Sequence, residues 1–176
     1  MKRVIRLMIL ANLIMLPMAT SQASGQLFFM EDPNVGQVAP DFTLDTLRAR
    51  SVNMTKYRDG KSAIVFFWAT WCPHCREALK ELNSQAAQLE EKGIKVLLVD
   101  LGESAAEVKE HVTRNKINFE VFLDSESSLS EPYGIIGVPT FFFLNDKGIV
   151  KAVEHVLPDN YEEILLKSEV SKDSVK

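Results

Sequence analysis

Ala63-Ile64-Val65-Phe66-Phe67-Trp68-Ala69-Thr70-Trp71-Cys72-Pro73-His74-Cys75 opens as an unbroken apolar run and ends in a Cys-x-x-Cys pair. Such a run, too short for a membrane span and bounded by a junction, reads as a strand buried on both faces. Beyond it, Leu79, Leu82, Ala86 and Leu89 recur at helical spacing, with Gly93 as a stop, so the periodicity predicts one helix over 73–92. The two cysteines therefore sit where a buried strand hands over to a helix. They are the only cysteines in 176 residues. A pair with this spacing at this junction points to redox chemistry. Unsatisfied N–H groups and positive dipole charge at the helix start favour a thiolate on Cys72. Cys75, one turn on, is placed to release a mixed disulfide. Pro73 falls in the first helical turn, where its missing N–H is no loss. His74, when protonated, adds positive charge beside Cys72.

Two plainer uses of the cysteines fit less well. A structural disulfide with a two-residue spacer closes a tiny loop and gains little chain entropy. A zinc site needs about four ligands, and His74, His111 and His155 are scattered. No metal ligand set is assigned and no cofactor is required.

The ends bound the compartment. Lys2, Arg3 and Arg6 precede an apolar stretch from Leu7 to Met18, and Ser21-Gln22-Ala23 offers small residues for cleavage after Ala23. Residues 1–23 read as a signal peptide; retained, the same segment would serve as an uncleaved anchor, though it falls short of the ~20 residues that span a bilayer comfortably. No cysteine follows it that would carry a lipid. Its removal takes away three cations and no acid, moving the formal charge from −4 to −7. An acidic domain is a poor partner for nucleic acid or anionic membrane surfaces. Export to the periplasm, or another extracytoplasmic space, would also let a disulfide persist.

Outward from the cysteines, 24–39 reads as a linker holding Phe28-Phe29-Met30, 40–170 as the domain and 171–176 as a polar tail. Phe42-Thr43-Leu44 and Val52-Asn53-Met54 are two short lead-in strands; Thr55 is read as the cap of a helical turn through Arg58 that Gly60 stops. Ile94 to Val99 is a second buried strand. Ser104 with Glu107 forms a capping box opening a helix to about Lys116. Phe119 to Leu123 reads as a strand and Ser127 to Tyr133 as a helix. Thr140 to Leu144 and Ile149 to Val156 make a hairpin through Asn145-Asp146-Lys147-Gly148, and Asp159 with Glu162 opens a last helix. The order predicts an α/β domain with a central mixed sheet flanked by helices.

Three motifs carry a resemblance: Ala39-Pro40-Asp41-Phe42-Thr43-Leu44, then Phe67 to Cys75, then Gly137-Val138-Pro139-Thr140. The chain resembles the TlpA/ResA-like thiol–disulfide oxidoreductases of the thioredoxin-like superfamily, with a redoxin (AhpC/TSA-type) domain, over roughly Pro40 to Leu165. The resemblance implies a thioredoxin fold with an N-terminal β extension and an inserted helix. It implies disulfide exchange with protein thiols outside the cytoplasm, often in cytochrome c maturation, fed in the reductive direction by a membrane electron donor. Carried over, Cys72 is the exposed attacking thiol and Cys75 the buried resolving thiol of a redox-active disulfide. Trp71 shapes the surface beside it, and Pro139 is a cis-proline that lets Val138 offer backbone groups to an extended substrate.

Departures from the family qualify the direction of electron flow. Relatives carry an acid six residues before the first cysteine or three after the second; here those positions are Phe66 and Ala78. Asp100 and Glu103 are candidate substitutes, read first as surface carboxylates. Pro73-His74 matches the disulfide-forming oxidases of the DsbA type. The same cysteines would also serve a thiol peroxidase, or a copper-handling module using Cys72, Cys75 and a histidine. His111 reads as a solvated helix residue and His155 as outward-facing on the last strand.

Overall fold

The computed structural model describes residues 32–166. The export segment, Phe28-Phe29-Met30 and the polar tail lie outside the described residues. In chain order the elements are β1 (Thr43–Thr46), β2 (Val52–Asn53), α1 (Met54–Arg58), β3 (Ala63–Trp68), α2 (Pro73–Ser84), α3 (Ala86–Glu91), β4 (Lys95–Leu101), α4 (Ala105–Asn115), β5 (Glu120–Asp124), β6 (Thr140–Leu144), β7 (Val150–Glu154) and α5 (Tyr161–Leu166). The strands join in the order β2-β1-β5-β4-β3-β6-β7. β3 runs parallel to β4, and β4 to β5; β6 and β7 pair antiparallel beyond β3, and β1 antiparallel on β5. This is the thioredoxin fold with its N-terminal β extension. The inserted helix α4 brings a strand of its own, β5, which widens the sheet and receives the extension.

Every residue of β3 is buried, because layers cover both faces of the central strand. Ile64, Phe66 and Trp68 face a core with Cys72, Cys75, Leu79, Leu82, Val108 and Leu165. Val65 and Phe67 face the other, with Phe42, Met54 and Tyr133. Phe66 stacks on Phe141 with ring centroids 4.2 Å apart, which fixes the sheet beneath the cysteines. The β3–β4 register sets Phe66 opposite Leu98 and Trp68 opposite Asp100. Among the described residues no helix is long and apolar enough to cross a membrane.

Several local expectations are corrected. The helix over 73–92 is two helices broken at Gln85, whose φ of −104° and ψ of 8° leave the helical region. Asn83 and Ser84 explain the break. Ser84 Oγ donates to Glu81 O at 2.6 Å, and Asn83 reaches Lys116 O at 3.1 Å and accepts from Asn118 N at 2.9 Å. Ser84 in this way competes with the helix for its backbone, while Asn83 ties the end of α2 to the segment after α4. Asn53, not Thr55, caps α1, accepting from Lys56 N–H at 3.0 Å; Thr55 N–H and Oγ1 are taken by Asp41. Residues 127–133 form turns, not a helix. Ser127 has φ +54°, Pro132 has no N–H to give, and the buried Asp124 carboxylate accepts from Ser128 N–H, Ser128 Oγ and Leu129 N–H at 2.8–2.9 Å. The end of the segment read as a linker lies along β7 as it enters the domain. Gly36 N–H donates to Val150 O at 2.9 Å, Val150 N–H to Gln37 O at 2.8 Å, and Ala39 N–H to Gly148 O at 2.9 Å.

Candidate active site

Cys72 is the N-cap of α2, with extended backbone, and its Sγ accepts from the Cys75 N–H at 3.2 Å. Pro73 occupies the first helical turn. Cys72 and Cys75 form a disulfide, their Cα atoms 5.2 Å apart. Cys75 is fully buried, and Cys72 keeps only 4 % of its surface exposed, so the thiol expected to be open is recessed. Trp71 stands 67 % exposed beside it.

Across from the disulfide, the Val138–Pro139 peptide is cis, and the Val138 carbonyl oxygen lies 3.7 Å from Cys72 Sγ. In the reduced protein that oxygen can accept from the thiol. Ile136, two residues before Val138, is 94 % exposed. The structure thus brings Trp71, Cys72, Pro73, Cys75, Val138 and Pro139 to one end of the sheet. His74 lies in the same turn but projects into solvent, its Nδ1 3.6 Å from Glu77 Oε2, with both side chains 81 % exposed. At that exposure its charge is screened from the sulfur.

Three residues were misjudged from sequence. Asp100 is not a surface carboxylate: it is 0 % exposed and lies beside Glu103. Burial first, and then the neighbouring Glu103, push it up to about 8. Glu103 is half-buried and engaged: its carboxylate accepts from Thr70 N–H at 2.6 Å and Thr70 Oγ1 at 2.5 Å. Arg76 donates to the Thr70 carbonyl at 3.1 Å, so all three polar groups of Thr70 are held two residues before Cys72. His111 is half-buried, its ring 5.5 Å from that of Trp68. Burial, then Arg76, holds it below the ordinary histidine range. Strand alternation carried the signal for Asp100, since it shares the parity of Val96 and Leu98, which face the core. Nothing local marked Thr70–Glu103, which joins residues 33 apart. His155 is exposed as expected, but its Nδ1 lies 3.2 Å from both Pro139 O and Thr140 Oγ1, at the back of the cis-proline turn. Among the described residues no three His, Cys, Asp or Glu side chains are grouped to hold a metal ion.

The AhpC/TSA family model matches residues 35–153. The chain belongs to this family. It is 32 % identical over 119 residues, 68 % of each chain, to the thiol-disulfide oxidoreductase ResA of Geobacillus thermodenitrificans (strain NG80-2). It is 27 % identical to ResA of Bacillus subtilis (strain 168) over 74 % of this chain and 73 % of that one. Among solved structures, StoA from Bacillus subtilis superposes with a TM-score of 0.59 at 27 % identity, covering 75 % of this chain and 96 % of StoA. The thioredoxin domain of a thiol-disulfide oxidoreductase from Bacteroides vulgatus gives a TM-score of 0.67 at 25 % identity, covering 74 % and 94 %. With its Cys-x-x-Cys disulfide, this member of the family is a thiol–disulfide oxidoreductase of the ResA type, acting on protein thiols.

Proposed function

We propose that this chain is an exported reductant of protein disulfides, of the kind used in cytochrome c maturation, recharged by a dithiol donor at the membrane. The observation that carries the reading is the pairing of a Cys72 sulfur at the start of α2 with the Val138 carbonyl 3.7 Å away. That pairing sets a nucleophile beside backbone groups able to align an extended partner, with Trp71 and Ile136 exposed on either side for apolar contact.

In the forward direction the Cys72 thiolate attacks one sulfur of a partner disulfide. That S–S bond breaks, a Cys72–partner bond forms, and the partner's other sulfur leaves as a thiolate that takes a proton from water. Cys75 then gives up its proton and attacks Cys72 Sγ, releasing the second partner thiolate. Two electrons have passed to the partner, and the product on this chain is the Cys72–Cys75 disulfide. A donor dithiol runs the same exchange backwards to restore both thiols.

The Pro73-His74 dipeptide favours the opposite, oxidising direction through charge at His74. The exposure of that ring weakens the case, because a solvated cation stabilises a nearby thiolate little. Two measurements test the reading. The Cys75→Ser chain, which attacks but cannot resolve, is expected to accumulate mixed disulfides through Cys72. The Cys72–Cys75 potential is expected near about −270 mV, as in thioredoxin, and a value near about −120 mV, as in the oxidant DsbA, overturns the direction.

A further inference from the structure

Thr70, two residues before the attacking sulfur, is held at all three of its polar groups. Its N–H donates to Glu103 Oε2 at 2.6 Å and its hydroxyl to Glu103 Oε1 at 2.5 Å. Arg76, one turn into α2 from Cys72, donates to its carbonyl at 3.1 Å. The match is specific, because one residue offers two neighbouring donors and a carboxylate offers two acceptors, joined by charge-assisted bonds. The backbone that carries Glu103 is itself fixed. Gly102 N–H donates to Asp124 O at 3.0 Å, and Ser104 is the N-cap of α4, closed by a capping box with Glu107. Glu103 thus stands between two pinned residues at the exit of β4 and reaches across to the loop that leaves β3.

Solvation alone does not require these bonds. Thr70 is only half-buried, and water would satisfy its N–H and hydroxyl without Glu103. What the carboxylate adds is a fixed position for the peptide that follows. That peptide carries Trp71, whose side chain is 67 % exposed and is therefore held little by packing. Its place is set by the backbone on either side. On one side is Thr70. On the other is Cys72, whose N–H is tied to Ala69 O at 3.2 Å and whose helix is tied to Thr70 through Arg76.

We propose that Glu103 is a positioning residue for partner binding. Through Thr70 it holds Trp71 in place beside the Cys72–Val138 pair, and so shapes the site for an extended polypeptide with an apolar residue next to its reactive cysteine. The assignment rests on Cys72 being the sulfur that attacks partners aligned along Val138. Such a partner needs both walls of the site, the Trp71 face and the backbone groups of Val138. A small disulfide needs only the Cys72 sulfur. Glu103 therefore acts on the orientation of a polypeptide partner more than on the reactivity of the sulfur, and a slight misplacement of the partner is enough to slow the exchange.

Two disulfides with the same leaving group test it on the full reduced chain at neutral pH. One is dithiobis(nitrobenzoate). The other is a short peptide whose central cysteine, flanked by valines, carries thionitrobenzoate as a mixed disulfide. With either probe Cys72 bonds to one sulfur, the probe's S–S bond breaks, and thionitrobenzoate leaves as a coloured anion. The ratio of the peptide rate to the small-disulfide rate is expected to fall about tenfold in Glu103→Ala, the weight of the charge-assisted bonds lost. In Glu103→Gln it should return to within about threefold of wild type, because the amide keeps an acceptor for Thr70 N–H and offers its own N–H to the Thr70 hydroxyl. Thr70→Val, which loses only the hydroxyl bond, should lower the ratio about threefold. A ratio unchanged in Glu103→Ala, or a Glu103→Gln chain that behaves like Glu103→Ala, overturns the positioning role and leaves disulfide exchange standing. A wild type that releases thionitrobenzoate from neither probe overturns the exchange reading itself. If Glu103→Ala fails to fold, Thr70→Val decides, and a ratio equal to wild type refutes the proposal.

Discussion

Replacing Asp100 by Asn should stabilise the protein, and by an amount that grows with pH. Burial and Glu103 push Asp100 up to about 8, against about 3.9 for an unfolded aspartate. Across the interval between those values the folded chain holds a proton that the unfolded chain has released. Stability is therefore full below about pH 4 and declines as pH rises toward about 8. An asparagine is neutral in both states and contributes no such slope. One proton is worth about 1.4 kcal/mol per pH unit. The stability of the Asp100→Asn chain relative to wild type should thus rise by up to about 3 kcal/mol between pH 5 and pH 7, and by at least about 1 kcal/mol after relaxation around the site is allowed for. Urea unfolding of both oxidised chains at pH 5, 6 and 7 measures it, since contributions from titrating groups that do not act on Asp100 cancel in the difference. A difference flat to within about 0.5 kcal/mol would show that Asp100 is ionised in the folded state, and the reasoning about its burial would be wrong.

Two substitutions away from the site test the packing that supports it. Tyr133→Phe removes the hydroxyl that donates to Pro40 O at 2.5 Å from a fully buried ring, and should cost about 1–2 kcal/mol in urea unfolding by leaving that carbonyl unpaired. Gly148→Ala should cost roughly 1–3 kcal/mol, measured in the same way: Gly148 has φ +80° and a Cβ there would lie 2.9 Å from Arg58 Nη2, on the guanidinium that donates to Asn145 O at 2.9 Å.

Sequence periodicity located the strands within a residue or two, because the central ones are buried on both faces and read as unbroken apolar runs. The capping box at Ser104 and Glu107 was equally plain and is formed in full. Sequence failed where short polar side chains choose among partners. Asn83 and Ser84 break a helix that Leu79, Leu82 and Leu89 would otherwise continue, and the Asp124 carboxylate turns an expected helix over 127–133 into linked turns. The cysteine pair was legible from its spacing at a strand–helix junction. The surroundings of Cys72 were not, because Val138 reaches it, and Glu103 reaches Thr70 in the loop before it, through tertiary contacts across 66 and 33 residues of chain.

Asp124 and Asp100 are both buried carboxylates at the ends of adjacent strands, and the contrast between them says most about the site. Asp124 is surrounded by donors and organises a turn with three hydrogen bonds; its burial is compensated on the spot. Asp100 has the acidic Glu103 beside it and no such ring of donors, interrupts an apolar row that a leucine or valine would complete, and burdens the fold at neutral pH. Phe66, by contrast, is stacked into the core at no such cost. A residue that violates the local pattern without local compensation is expected where function demands it. In this chain that residue lies next to Glu103, whose carboxylate holds the loop leading to Cys72.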